Sequence, residues 1–202
     1  MDNWIKLITA LASLAGFGGV VFAFLKFYLP WRESVKSKNN EKRIIAERFK
    51  IANIFKHLSY IKNNTPSDRV CVFKGHNCGG FPSAGKPYFA TSLYYVDDIG
   101  SHVDFKLSDY QEIEVDEYYN RMILDTYQSG DHSVTYLVDD MPKSLLRSFY
   151  EAEKVIESMI IYLGVKGNLL YYMSVALHEG KLDEKDKTLI KLKAQAIRNN
   201  IL

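Results

Sequence analysis

The chain has 202 residues, with 26 Lys and Arg against 24 Asp and Glu and a net charge of +2. The positive excess lies beside one apolar run near the N-terminus, and this distribution argues against a nucleic-acid-binding face. About 140 residues remain beyond that run and its linker, enough for one ordinary domain with its own core.

The apolar run extends from Leu7 to Leu25 and contains no charged residue. Its length matches the hydrocarbon core of a bilayer. Trp4 and Trp31 flank it, and aromatic rings at both ends suit the two headgroup zones. A cleaved signal peptide is the alternative, but the core is long and its downstream edge is bulky. Residues 1–30 are therefore predicted to form a single transmembrane anchor.

Basic residues follow the apolar run and are nearly missing before it. Upstream there is Lys6, and downstream there are Arg32, Lys36, Lys38, Lys42, Arg43, Arg48 and Lys50. The positive-inside rule then predicts a single-pass protein of the inner (cytoplasmic) membrane, with its C-terminal domain in the cytoplasm. The same charges are expected to contact anionic lipid headgroups. Cys71 and Cys78 fit a reducing compartment, although an exported chain could bridge them.

Two patterns predict a homo-oligomer. Ala15, Gly19 and Ala23 form a small-xxx-small stripe that lets two membrane helices approach closely. Residues 31–64 read as a basic juxtamembrane linker and an amphipathic helix from Glu41, with Arg32–Asn40 forming either the linker or the first turns of that helix. In that helix the apolar residues at roughly heptad spacing are Ile44, Ile51, Ile54 and Leu58. This helix either packs on its own domain or pairs with a second copy.

Residues 65–202 mix strand and helix patterns. Strands are predicted at Arg69–Gly75, Tyr88–Val96 and Ser133–Val138, followed by a hairpin of Val155–Val165 and Asn168–Leu177. Helices are predicted at Ile113–Met122 and Pro142–Lys154, and after Asp183, which can cap the last one. The fold class is therefore α+β, with one antiparallel sheet flanked by helices.

The segment RVCVFKGHNCGGFPSAGKPYFATSLYY, from Arg69 to Tyr95, resembles the membrane-anchored GAF-like domains of bacteria and their phages. In that family a strand leads into a His-Asn-Gly-Gly-like turn and then a Gly-x-Pro step into the second strand. Here the turn is one residue longer because Cys78 is inserted. The resemblance implies a GAF/PAS-like sheet over residues 65–202 and a ligand pocket between sheet and helices. The ligand-binding candidates at this turn and strand start are His76, Asn77, Gly79, Gly80 and Tyr88. No cofactor-attachment residue of the family can be matched, so the cofactor stays unknown.

The same loop also has a purely structural interpretation. His76 and Cys78 could act as ligands or as a Cys/His pair. Alternatively, Asn77, Gly79 and Gly80 supply unusual backbone dihedrals and His76 caps the turn, which is the favoured interpretation. The spacing matches no zinc pattern and no phosphate-binding loop. The carboxylate clusters lack calcium-loop spacing. We therefore expect neither a metal site nor an enzyme.

Two functions remain. The first is a membrane-tethered GAF-like sensing or protein-binding module that is non-catalytic and acts as a homodimer on the cytoplasmic face, with a possible protein partner. The alternative is a holin-like or other phage membrane-assembly protein whose soluble domain controls oligomerisation.

Overall fold

The computed structural model describes Lys6 and residues 24–77, 87–97 and 110–202. Its α-helices are α1 (Leu29–Asn64), α2 (Glu117–Gln128), α3 (Leu145–Ala152) and α4 (Glu184–Ile201). Its strands are β1 (Arg69–His76), β2 (Phe89–Asp97), β3 (Ile113–Glu114), β4 (Ser133–Leu137), β5 (Glu157–Lys166) and β6 (Leu169–Leu177). The chain divides into two compact units, Met1–Phe49 and Lys50–Leu202.

The residues before Glu41 that were predicted as a linker are helical, and they belong to α1, which begins at Leu29. Pro30 is its second residue and supplies no backbone N–H. A π-helical turn, Phe24–Tyr28, precedes it. Within the described ranges no helix has the length and apolar character that a bilayer span requires. Of the predicted anchor, residues 1–30, Lys6 and residues 24–30 lie within those ranges, whereas Ala15, Gly19 and Ala23 lie outside them.

The six strands form one antiparallel sheet in the order β3-β2-β1-β6-β5-β4. This confirms the predicted α+β class with an antiparallel sheet flanked by helices. The β5–β6 hairpin closes through Gly167 and Asn168, and Gly167 has φ +59, as the first position of a type II′ turn requires.

Two predicted helices begin later than expected because polar residues cap them. The stretch predicted as helical from Ile113 starts as the short strand β3, and α2 begins only after Asp116, whose carboxylate accepts the Tyr119 N–H. Ser144 caps α3 in the same way by accepting the Arg147 N–H at 3.1 Å. Each cap satisfies a backbone donor that the first helical turn leaves unpaired.

Side chains alternate across β1, so the sheet has two different buried faces. Val70 and Val72 belong to a core that α1 and α4 cover, here called the helix-pair core. Cys71 and Phe73 belong to a core that α2 and α3 cover, here called the tyrosine core. The alternation along Arg69–Gly75 in the sequence predicts this split between opposite faces, and the two cores confirm it.

The helix-pair core decides the role of the seam predicted on α1. Ile54 is 2% exposed and Leu58 is 0% exposed, and both pack in the core of their own chain. The assignment of these two residues to a dimer seam is therefore wrong, since apolar side chains buried in one core cannot also face a second copy. Ile44 is 61% exposed and Ile51 is half-buried, so for them the seam stays a prediction.

Candidate ligand-binding site

The tyrosine core contains four almost fully buried tyrosines, which are Tyr110, Tyr119, Tyr150 and Tyr172. The hydroxyls of Tyr119 and Tyr172 lie 2.5 Å apart. The Tyr150 hydroxyl lies 2.9 Å from Ser174 Oγ and 3.0 Å from Ser158 Oγ. Burial raises the pKa of all four phenols, so they stay neutral at pH 7. They can donate and accept hydrogen bonds, but they cannot serve as bases.

An ion pair is buried in the same core. The Arg69 guanidinium contacts the Glu153 carboxylate, which also accepts a 2.7 Å hydrogen bond from the Tyr110 hydroxyl. The guanidinium lies 4.7 Å from the centroid of the Tyr110 ring and 6.0 Å from that of Tyr150. Two charges out of water are tolerated only when paired and hydrogen-bonded in this way. The pair joins the start of β1 to the end of α3, so its first role is structural.

The end of the sheet where β1 leaves it is different. A Cβ on Gly75 would lie 2.2 Å from the Tyr88 hydroxyl, so the tyrosine ring rests directly against the β1 backbone. Among the described residues, the buried atoms Tyr88 Oη, Asn77 Nδ2 and Ser92 Oγ have no hydrogen-bond partner. A buried polar atom without a partner costs about 1–3 kcal/mol. Polar groups left in this state need an explanation, and a ligand supplies one.

The Tyr88 hydroxyl lies in the electrostatic range of the Tyr119–Tyr172 pair. Burial is the main cause that raises the pKa of Tyr119 and Tyr172, and the Tyr88 phenol raises both further. Burial also raises the pKa of Tyr88 itself. Three neutral hydroxyls and one amide therefore share this end of the tyrosine core. We call Asn77, Tyr88, Tyr119 and Tyr172 the hydroxyl site.

The structure separates the residues predicted as one site. Tyr88 lies over Gly75, and Asn77 follows Gly75 by two residues, so both face the tyrosine core. His76 faces the other side, where its Nε2 lies 2.8 Å from Thr91 Oγ1 and its ring lies 6.2 Å from that of Phe89. His76 therefore lies apart from Asn77 and Tyr88, because side chains alternate between the two faces of the sheet. Gly79 and Gly80 lie outside the described residues, as does Cys78.

His76 and Cys71 have no visible chemical role. Burial, and then the charge of Lys74, lowers the pKa of His76, which keeps the ring neutral. Burial raises the pKa of the Cys71 thiol to about 12, so it is protonated and unreactive at pH 7. No group of three or more His, Cys, Asp or Glu side chains that could hold a metal ion occurs in the part of the chain that the structure describes.

Sequence reasoning missed Tyr119 and Tyr172 as partners and missed the Arg69–Glu153 pair. The signal for Tyr172 was present, since one ring of the pair Tyr171-Tyr172 must face inward on a strand. The contact with Tyr119 and the ion pair join residues far apart in sequence, and no local pattern encodes them.

No protein-family model matches the chain, and no curated protein matches its sequence. Solved structures do match. The blue-light absorbing form of the PixJ GAF domain of Thermosynechococcus elongatus aligns with TM-score 0.54 and 10% identity over 76% of this chain and 85% of its own.

Two further structures agree. A free methionine-R-sulfoxide reductase of type II from Thermoplasma acidophilum has TM-score 0.52 and 11% identity over 77% of this chain and 94% of its own. The GAF domain of a two-component sensor histidine kinase from Bacillus halodurans has TM-score 0.50 and 10% identity over 74% of this chain and 91% of its own. Identities this low establish the fold and nothing finer. The chain therefore has a GAF-like α+β fold.

Proposed function

We propose that this protein is a membrane-tethered, non-catalytic sensing or protein-binding module that holds its ligand at the hydroxyl site and acts as a homodimer on the cytoplasmic face. The observation that carries the proposal is the pair of buried, unpartnered atoms Tyr88 Oη and Asn77 Nδ2 on one face of the sheet. A ligand that forms hydrogen bonds with both atoms offsets the free-energy cost of burying them without partners.

The groups at the site indicate the character of the ligand. All are neutral, and Tyr119 and Tyr172 are almost fully buried. Such a site favours an uncharged or weakly polar molecule with hydrogen-bond acceptors and a flat face that packs on aromatic rings. A strongly charged ligand would lose its hydration without gaining an opposite charge from these four residues.

The fold supports a sensing role by analogy. One structural neighbour is a GAF domain described as absorbing blue light, and another belongs to a two-component sensor histidine kinase. Transfer of these roles to this chain is an analogy of fold, so it needs a direct test.

The tether and the dimer are supported by the chain outside the domain. The apolar run Leu7–Leu25 is followed by basic residues that are exposed on α1. Ile44, Ile45 and Phe49 are also exposed on α1, and an apolar surface of this kind is typical of helix pairing. We expect the purified chain to be dimeric in light scattering and Ile44→Glu to shift it toward monomer. A monomeric wild-type chain would rule the homodimer out.

The ligand test uses the full chain and a panel of small molecules screened by thermal shift. A compound that raises the melting temperature is expected to bind about tenfold more weakly to Tyr88→Phe, since one hydrogen bond is worth about 1–1.5 kcal/mol. Tyr118→Phe is the matched control, because it removes an exposed hydroxyl from α2. The proposal fails if no compound stabilises the wild type, or if both variants bind equally.

The orientation is tested by reporter fusions placed after Lys50 and at the C-terminus. A cytoplasmic signal from both is expected from the excess of Lys and Arg after the apolar run. A periplasmic signal would overturn the cytoplasmic assignment and would reopen a bridge between Cys71 and Cys78.

A further inference from the structure

A second site lies on the opposite face of the sheet, and its argument is independent of the proposed function. A cleft of about 70 Å³ separates α4 from the start of β4 and the middle of β5. Its floor is apolar and comes from Ile161, Leu163 and Ala194. A volume of this kind accommodates about five water-sized atoms, which is the size of a tetrahedral oxyanion.

The α4 wall of the cleft is rich in hydrogen-bond donors. Lys191, Gln195 and Arg198 line it, and their spacing of four and then three residues puts them on one face of the helix. Lys191 is paired with Asp131 at 2.5 Å. Arg198 forms no ion pair with any residue in the described ranges, so one positive charge at the cleft is uncompensated.

The opposite wall is aromatic. His132 has φ +56, a conformation that non-glycine residues rarely adopt, and its carbonyl accepts the Tyr162 N–H at 2.9 Å. Its Nδ1 donates to the Tyr127 carbonyl at 3.0 Å, which leaves Nε2 for another partner. Tyr162 packs edge-on against Tyr127, with ring centroids 5.2 Å apart. Burial raises the pKa of Tyr162, so its hydroxyl remains a donor.

These observations exclude a cation and favour an anion. Among the residues that the structure describes, Asp131 is the one carboxylate that lines the cleft, and Lys191 already neutralises it. We propose that this cleft binds a small oxyanion, either free inorganic phosphate or the phosphate group of a small ester, with Arg198 as the main ligand. Tyr162 and Gln195 are further donors; Gln195 Nε2 donates one hydrogen to Asn199 Oδ1 at 3.2 Å and keeps the other for the anion. A guanidinium fork matches two phosphate oxygens at once.

The test is calorimetric titration of inorganic phosphate into the full chain at constant ionic strength. We expect saturable one-site binding, a loss of tenfold or more in Arg198→Gln, and a smaller loss in Arg198→Lys, which keeps the charge but not the fork. Lys185→Gln is the control, because it removes one exposed positive charge from the same helix outside the cleft. This variant is expected to bind like the wild type.

Asp131→Asn is expected to change the phosphate affinity in the opposite direction from Arg198→Gln. It removes the carboxylate that repels an anion and releases Lys191, so phosphate should bind more tightly than to the wild type. Titration with glycerol phosphate separates the two sources: equal affinity indicates the free ion, and affinity about tenfold higher indicates an ester. The proposal is overturned if the wild type shows no saturable binding, if Lys185→Gln loses as much as Arg198→Gln, or if Asp131→Asn binds more weakly.

Discussion

Substitution of Gly75 by Ala tests how closely Tyr88 approaches the β1 backbone. The added Cβ would lie 2.2 Å from the Tyr88 hydroxyl and 2.8 and 2.9 Å from two ring atoms, whereas ordinary contact begins at 3.4 Å. The hydroxyl must therefore move by more than 1 Å, and the ring must turn with it. Overpacking of this kind costs about 1–3 kcal/mol. In a domain of this size that loss lowers the melting temperature by about 2–12 °C.

Thermal unfolding followed by circular dichroism measures this loss. Gly130→Ala is the matched control, since a Cβ there meets nothing within 4 Å and its φ is not positive. The double variant Gly75→Ala, Tyr88→Ala should be less destabilised than the sum of its single variants, because removing the ring removes the clash. Equal melting temperatures for Gly75→Ala and Gly130→Ala would refute the placement of Tyr88, and with it the hydroxyl site.

Three further predictions concern stability. Glu153→Ala should cost about 3–5 kcal/mol, because it leaves the Arg69 charge buried without its carboxylate; chemical denaturation measures the loss. Stability should fall as the pH rises above about 9, because the folded state keeps the Cys71 proton and, above about 10, the protons of the buried tyrosines that the unfolded state releases, with Cys71 alone contributing up to about 1.4 kcal/mol per unit. Asp116→Ala should cost about 1 kcal/mol or more, since this carboxylate caps α2 and also accepts the Leu145 N–H at 2.7 Å.

Each of these has its own control. Replacing the ion pair as a whole by Arg69→Met with Glu153→Leu should cost less than Glu153→Ala alone, and a larger cost would show that the pair is not the dominant interaction. Cys71→Ala should lessen the decline above pH 9, and an unchanged decline would assign it to other groups. Asp116→Asn should retain part of the stability, because its one side-chain oxygen can still accept the Tyr119 N–H.

The layout of the domain could be predicted because short-range sequence patterns determine its strands and its last helix. Alternation in β1 gave two faces, the glycine turn gave the β5–β6 hairpin, and the residues of the Asp183–Asp186 capping box gave the start of α4. Asp116 and Ser144, which cap α2 and α3, can also be recognised in the sequence. The apolar pattern, however, already begins on the N-terminal side of each cap. The predicted starts were therefore several residues too early for both helices.

The site was harder to predict because it depends on contacts between distant segments. His76, Asn77 and Tyr88 look like one group in the sequence, yet the pleat of β1 and β2 puts His76 on one face and the other two on the opposite face. The roles of Ile54 and Leu58 had the same difficulty, because heptad spacing does not distinguish a dimer seam from a helix packed on its own sheet. The choice between these two roles follows only from the structure, in which residues of α4 and β6 share one core with Ile54 and Leu58.

The strand order also determines when this domain can fold. β1 lies in the middle of the sheet, and its partner on one side is β6, so Arg69 stands opposite Ala176. Closing a loop of that length costs entropy before any contact repays it, which slows folding. During synthesis the edge of β1 that pairs with β6 therefore stays unpaired until the β5–β6 hairpin has left the ribosome. A truncation that removes β6 is expected to expose that edge and to aggregate.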